Sequence, residues 1–345
     1  MKKKLYIITL EKIEKRYTSQ WYDYFKKEFS KYFDVEYIDG KHTIDKIDRG
    51  RFLDINKTNL YKAQQVEVLS KLFMENKIKD GDSFLFLDGW NFAITALKYM
   101  IDLNNIKAKI YSFWHAGSWD EWDFISQKGL NKWCNFNEAG WLNACTCNFV
   151  ATRFHKELIL DYFGTNIVLS KKIKIVGFPM NWSDEIKSRN VEVKEKENII
   201  VFPHRVDKEK APEKFDKLAK KFPQYKFIKT MLVTKNKKDY YELLSKAKIC
   251  FSGSKQETFG IGTVEAMLLG AVPLVPNRLS YIELYDPRFR YSNIEDAKLK
   301  IKYIMNNYNH KKLQDILKKN QNKIKEQSLD SIKKMAEAII KNGMG

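Results

Sequence analysis

Short apolar runs alternate along the chain with longer segments whose apolar positions recur at helical spacing. Residues 4–9 (KLYIIT) read as a buried strand. Trp21, Tyr22, Phe25, Phe29 and Tyr32 predict an amphipathic helix over 18–32, and FDVEYIDG (33–40) the next strand and turn. A helical period runs through 59–77. SFLFLDG (83–89) is a continuous apolar run, as expected of a parallel strand covered on both faces. The alternation continues with a helix at 91–103, a strand at 108–114, a helix at 134–146, a strand at 148–152, a helix at 153–163 and a strand at 172–177. GFPMNWSD (177–184) breaks the pattern, and the polar stretch 187–198 reads as a linker. A second alternation follows, with strands at 199–203, 225–229, 248–252 and 272–275 and helices at 211–221, 238–246, 261–269 and 294–308. Residues 311–342 read as a Lys-rich helix. Strands alternating with helices predict parallel sheets covered on both faces.

Composition divides the chain the same way. Its 345 residues suit two domains. The formal charge is +19, of which +5 falls in residues 1–200 and +14 in residues 201–345. All eight tryptophans lie in the first part. The apolar content of 44% excludes wholesale disorder. The basic residues are 53 Lys and only 9 Arg, a bias that AT-rich coding also produces. Four cysteines in so long a chain do not make a disulfide framework and read as reduced thiols. The run LYIITL is too short for a signal-peptide core, and no window reaches 18 consecutive apolar residues. The expectation is a cytoplasmic protein with no integral membrane association. No metal is expected. Asp80 and Asp82 read as a turn, and Asp120, Glu121 and Asp123 are the nearest approach to a cation site.

Candidate chemistry concentrates in SGSKQETFGIGTVEAMLLGAVPLVPN (252–277), which reads strand end, loop, helix, strand. A helix beginning after Phe259 and Gly260 offers free N–H groups and the positive end of its dipole to a diphosphate. Glu257 falls in the loop and Glu265 inside the helix, both able to accept hydrogen bonds from hydroxyls.

This stretch resembles the retaining glycosyltransferases of the GT-B fold, family four. Their signature pairs two glutamates around F-G-x-x-x-x-E-A, matched here by Glu257-Thr258-Phe259-Gly260 and Glu265-Ala266. The same family carries Arg-x4-Lys in the first loop of its second domain, matched by Arg205 and Lys210 in PHRVDKEK. The resemblance implies an α/β protein of two Rossmann-like domains with parallel sheets facing a central cleft. It implies an acceptor-binding domain at 1–185, a donor-binding domain at 186–325, and a last helix at 326–345 able to pack back on the first domain. It further implies that Arg205 and Lys210 hold the donor diphosphate, Glu257 the transferred sugar and Glu265 the ribose, with Thr258, Phe259 and Gly260 lending backbone N–H groups. A UDP-sugar is then a co-substrate and no cofactor is needed.

In the first part, WHAGSWDEWDF (114–124) places His115 where the family often has a histidine facing the sugar, so His115 and Glu257 are the expected catalytic residues. Trp90, Trp119, Glu121, Trp122 and Asp123 are expected on the acceptor side, since aromatic faces beside carboxylates suit a sugar or an unstacked base. The first loop lacks the glycines usual in the family. Its EKRYT segment, with Arg16 and Tyr17, resembles phage glycosyltransferases that modify DNA. That resemblance and the basic excess favour a hydroxymethylated pyrimidine in DNA as acceptor. The alternatives are a surface glycan, a protein or a tRNA base, or a non-catalytic nucleic-acid-binding protein on this scaffold.

Overall fold

The computed structural model of the protein describes residues 2–13, 17–41, 54–164, 167–191 and 195–343. The chain forms two compact units. The first comprises 1–180 with 330–345, and the second 181–329.

The first unit holds a six-stranded sheet in the order β2-β1-β3-β4-β5-β6. Its strands are β1 (Lys4–Ile8), β2 (Asp34–Ile38), β3 (Ser83–Phe86), β4 (Lys109–Phe113), β5 (Cys147–Val150) and β6 (Ile173–Ile175). Every pairing is parallel. The helices are α1 (Thr18–Phe29), α2 (Ile55–Met74), α3 (Ala93–Leu103), the short α4 (Phe124–Gln127), α5 (Asn131–Ala144), α6 (Arg153–Phe163) and α7 (Ile167–Lys172). Strands β3 and β5 are buried along their whole length, which explains their unbroken apolar runs. Phe84, Phe86, Ile94, Leu97, Ile110, Trp114 and Trp141 pack into one core.

The second unit begins with α8 (Trp182–Ser188) and holds a parallel five-stranded sheet in the order β11-β10-β9-β7-β8. Its strands are β7 (Glu197–Phe202), β8 (Lys226–Lys229), β9 (Ala247–Phe251), β10 (Val272–Pro276) and β11 (Arg290–Tyr291). Between and after them run α9 (Pro212–Lys221), α10 (Thr230–Val233), α11 (Lys237–Lys246), α12 (Ile261–Leu268), α13 (Tyr281–Leu284), α14 (Ile294–Asn307) and α15 (Lys311–Asn342). Short 3-10 turns occupy Lys208–Lys210 and Pro287–Phe289. Ile199, Val201, Tyr241, Leu244, Cys250 and Ala266 form a core. The end of α15 belongs to the first unit, where the Tyr111 hydroxyl donates to the Ile339 carbonyl at 3.3 Å.

The segments read as a pattern break and a linker are partly helical. The Asn181 side chain accepts from the Asp184 N–H and starts α8. Trp182 is buried, its indole N–H donating to Ser328 Oγ at 2.8 Å. The first unit's main segment ends at Met180. All four cysteines are free and buried, and burial pushes the thiols of Cys134, Cys145, Cys147 and Cys250 up. No helix among the described residues is long and apolar enough to cross a membrane.

One buried polar group gives the first unit a pH dependence. His155, on α6, is fully buried, and neither ring nitrogen has a hydrogen-bond partner among the described residues. Burial, reinforced by the nearby His115, lowers its pKa to about 3 from the ordinary 6.5. The folded protein keeps the ring neutral while the unfolded chain takes up a proton below about pH 6.5. Stability is therefore fully present above that pH and is lost as the pH falls towards 3. Between pH 7.5 and 4.5 the expected loss is about 3 kcal/mol, two pH units at about 1.4 kcal/mol each. Urea unfolding at the two pH values checks it, and His155→Leu should remove most of the difference.

Candidate active site

In the second unit the chain leaves β7 through Pro203 and His204 and makes the 3-10 turn that carries Lys210. Ala211 follows with φ +51° and is fully buried. It ends the 3-10 turn and caps α9, whose Pro212 fixes the first helical position. This loop lies against the one leaving β9. The Lys255 N–H donates to the Glu209 carbonyl at 2.7 Å. A Cβ on Gly253 would stand 3.1 Å from the Ala211 carbonyl oxygen, and one on Gly262 would stand 2.7 Å from that of Pro203. Small residues at these two positions are what let the first turn of α12 sit under the Pro203–Lys210 loop.

The two sequence motifs consequently meet. Lys210 Nζ donates to the Gln256 carbonyl at 2.7 Å and to Glu257 Oε2 at 3.1 Å. Both side chains are largely buried. Gly260 caps α12 at φ +87°, and no side chain caps that end. Thr258 and Phe259 complete the turn before it. Phe259 is buried and stacks on Trp182, with centroids 6.4 Å apart. The Ser280 hydroxyl donates to the Glu257 carbonyl at 3.1 Å.

Arg205 points elsewhere than its partner in the motif. Its guanidinium bridges Asp207 and Glu209, each at 3.0 Å. Burial, helped by the cations of Lys210 and Arg205, lowers the pKa of neighbouring His204 far below the usual imidazole range, so its ring is neutral.

Glu265 is buried inside α12. Its Oε1 is ion-paired with Lys237 and accepts from the Tyr241 hydroxyl at 2.9 Å. The same hydroxyl lies 3.3 Å from Glu185 Oε1, and Glu185 is held by Arg189 at 3.1 Å. Burial pushes Glu185 up, as it does Tyr241, whose hydroxyl also faces the two carboxylates. Sequence reasoning missed Lys237 and Tyr241. The only local signal was Asn236, which caps α11 and so fixes Lys237 in its first turn.

In the first unit His115 follows β4. Its Nε2 lies 2.9 Å from the Leu87 carbonyl, which can only accept, so Nε2 carries the proton. Nδ1 then accepts from the Tyr17 hydroxyl at 3.3 Å. Tyr17 packs edge-on against Trp21 and Phe178. His115, expected to be catalytic, and Tyr17, expected on the acceptor side, are thus neighbours. Arg16 lies outside the described residues.

The remaining acceptor residues scatter. Trp119 is 4% exposed and packs against Trp114 and His155 in the core. The turn after β4 folds this indole inward. Asp123 accepts from the Ile125 N–H and caps α4, and Asp120 accepts from the Trp122 N–H at 2.9 Å. Glu121 is exposed and accepts from the Trp122 indole at 2.8 Å. Trp90 is half-buried and donates to Glu138 Oε1 at 2.9 Å. Glu138, which the sequence did not single out, is fully buried and also accepts from the N–H and hydroxyl of Ser118. Burial pushes its carboxyl up against the pull of these donors. It ties the Trp90 loop to the loop after β4.

No family model matches the chain. Solved structures match it along its length. Sucrose-phosphate synthase of Thermosynechococcus elongatus superposes with a TM-score of 0.63 at 13% identity, over 99% of this chain and 98% of that one. The catalytic domain of starch synthase IV of Arabidopsis thaliana, bound to ADP and acarbose, gives 0.60 at 9% identity over 99% of each chain. The lipopolysaccharide outer core galactosyltransferase WaaB gives 0.58 at 15% identity, over 96% of this chain and 98% of that one. The fold is GT-B. At these identities the likeness speaks for the fold; the chemistry has to be argued from the site.

Proposed function

We propose that the protein is a retaining glycosyltransferase, moving a sugar from a nucleotide-sugar donor, by default UDP-glucose, to a hydroxyl group. One observation carries the reading. Lys210 is brought onto Glu257 immediately before the uncapped end of α12. A cation, unsatisfied backbone N–H groups and a carboxylate meeting at one helix end suit a sugar diphosphate. Lys210 and the N–H groups would stabilise the charge that develops on the departing nucleoside diphosphate, Glu257 would accept from sugar hydroxyls, and Glu265 from the ribose. Arg205 would join them by exchanging its carboxylate partners for phosphate, a trade between charged groups of similar geometry.

The proposed acceptor is a hydroxymethylated pyrimidine in DNA, engaging His115, Tyr17 and the Trp90 loop. The +14 charge of residues 201–345 supports a polyanionic partner. The test incubates the protein with a panel of nucleotide sugars and duplex containing hydroxymethylcytosine or hydroxymethyluracil, followed by digestion and nucleoside mass spectrometry. A nucleoside carrying one added sugar is expected. Hydrolysis of a donor without any modified nucleoside would remove the DNA acceptor and keep the transferase. No binding or turnover of any nucleotide sugar would remove both.

A further inference from the structure

A second cationic site lies beside the donor loops. A cavity of about 120 Å³ opens at the C-terminal end of β10, lined by Lys214 from α9, Asn277 and Arg278 from the strand end, and Tyr291, Ser292 and Asn293 ahead of α14. None of these residues belongs to the donor motifs. The volume is far below the roughly 300–1,000 Å³ of nucleotide-sized sites, yet it accommodates a tetrahedral oxyanion.

The charge around it is unbalanced. Lys214 Nζ has no hydrogen-bond or ion-pair partner among the described residues. Arg278 gives one nitrogen, Nη2, to the Ser254 carbonyl at 2.8 Å and the Gly253 carbonyl at 3.4 Å. Its Nε and Nη1 hydrogens have no acceptor among the described residues. Burial lowers the pKa of Lys214, with Arg278 and Lys255 adding to it; Glu213 is the one carboxylate that opposes them. The end of α14 adds little, since Asn293 already caps it and Asp296 accepts from Ser292. Like charges gathered with too little counter-charge are costly, and an anion between them lowers that cost. The remaining Nε and Nη1 hydrogens of the guanidinium, beside an ammonium, offer separate donors to the oxygens of a phosphate.

We infer that Lys214 and Arg278 form a phosphate-binding pocket separate from the donor diphosphate site. Its occupant is either a small phosphate or a phosphodiester of a bound nucleic acid, recognised by the same oxygens. The inference does not depend on the transferase reading, and its test reads binding rather than turnover.

The test follows Tm of the full chain against inorganic phosphate at constant ionic strength, with chloride as the control. Wild type should gain roughly 2–4 °C at saturating phosphate. Lys210→Met, which removes the donor-loop cation, should keep that gain. Lys214→Met should raise the phosphate Kd tenfold or more, and Lys214→Arg should restore it. Lys214 is half-exposed on a helix, so these variants are expected to fold, and Arg278→Lys gives an independent second probe. No phosphate effect beyond chloride, or an effect that survives Lys214→Met and falls with Lys210→Met, would overturn the pocket. Duplex binding then separates the sources. A salt slope reduced by about 0.9 in Lys214→Met assigns the pocket to a backbone phosphate, and an unchanged slope with phosphate binding lost assigns it to a small phosphate.

Discussion

Lys210→Met is expected to lower kcat/KM for the nucleotide sugar roughly 10²–10³-fold, the loss typical of one group stabilising transition-state charge. The expectation follows from where the ammonium is held. Its partners are a backbone carbonyl and Glu257, and both side chains are mostly shielded from solvent. The cation is therefore fixed before any donor arrives, and little reorganisation precedes the reaction. The split between constants is informative. If Lys210 acts chiefly on charge that appears as the diphosphate leaves, kcat carries most of the loss and donor Kd, measured by calorimetry, changes by much less. Arg205→Met should behave differently. Its guanidinium is partly exposed and already shared between Asp207 and Glu209, so it contributes donor affinity only after giving up those partners. A smaller effect, mostly on KM, is expected. Equal losses in the two variants would mean that the guanidinium leaves its carboxylates without cost.

What the sequence made legible follows from range. The helix expected at 311–342 is α15 to the residue, because thirty-two residues carry many turns of the period. The 252–277 stretch placed α12 and β10 because glycine, proline and apolar runs punctuate it at short range. Some short elements without a continuous apolar run, such as β11, α8 and α10, were missed, since so few positions define no period. Site residues divide in the same way. Lys210 and Glu257 were assigned to one donor site through two motif resemblances, and the contact between them, 47 positions apart, is a feature of the fold. Asp207 and Glu209 stood beside Arg205 in the same loop, and spacing alone gave no reason to send the guanidinium to them rather than to a phosphate. Trp119 and Trp122 look alike as sequence, three residues apart within one loop. Only the fold of that loop sends the first into the core and leaves the second half-exposed.

Lys237→Met should destabilise the second unit by about 3–5 kcal/mol, the range for removing one member of a buried ion pair. Lys237 and Glu265 are both almost wholly shielded, with side-chain exposures of 11% and 5%. Without the ammonium, Glu265 keeps the Tyr241 hydroxyl, while Glu185 faces the same hydroxyl from its other side. Two carboxylates would then share one neutral donor in a poorly solvated place, and Arg189 answers only one of them. The cost thus lies mainly in the stranded charge of Glu265 rather than in the lost bond. Lys237→Met combined with Glu265→Gln should consequently be more stable than Lys237→Met alone, a coupling of opposite sign to simple additivity. Urea unfolding of the four proteins of this cycle at pH 7.5 measures it. A double variant as unstable as the sum of the singles would show that the two side chains contribute independently. The same cycle bears on the donor site. Glu265→Gln retains an oxygen acceptor but loses the full charge, so it should weaken nucleoside diphosphate binding, and it strands the Lys237 ammonium, so it too should destabilise the fold. Lys237→Met should unfold the protein more easily yet, once folded, leave Glu265 a stronger acceptor for ribose hydroxyls. Both variants are expected to lose stability while donor affinity moves in opposite directions, a separation that a residue serving only to hold the fold would not produce.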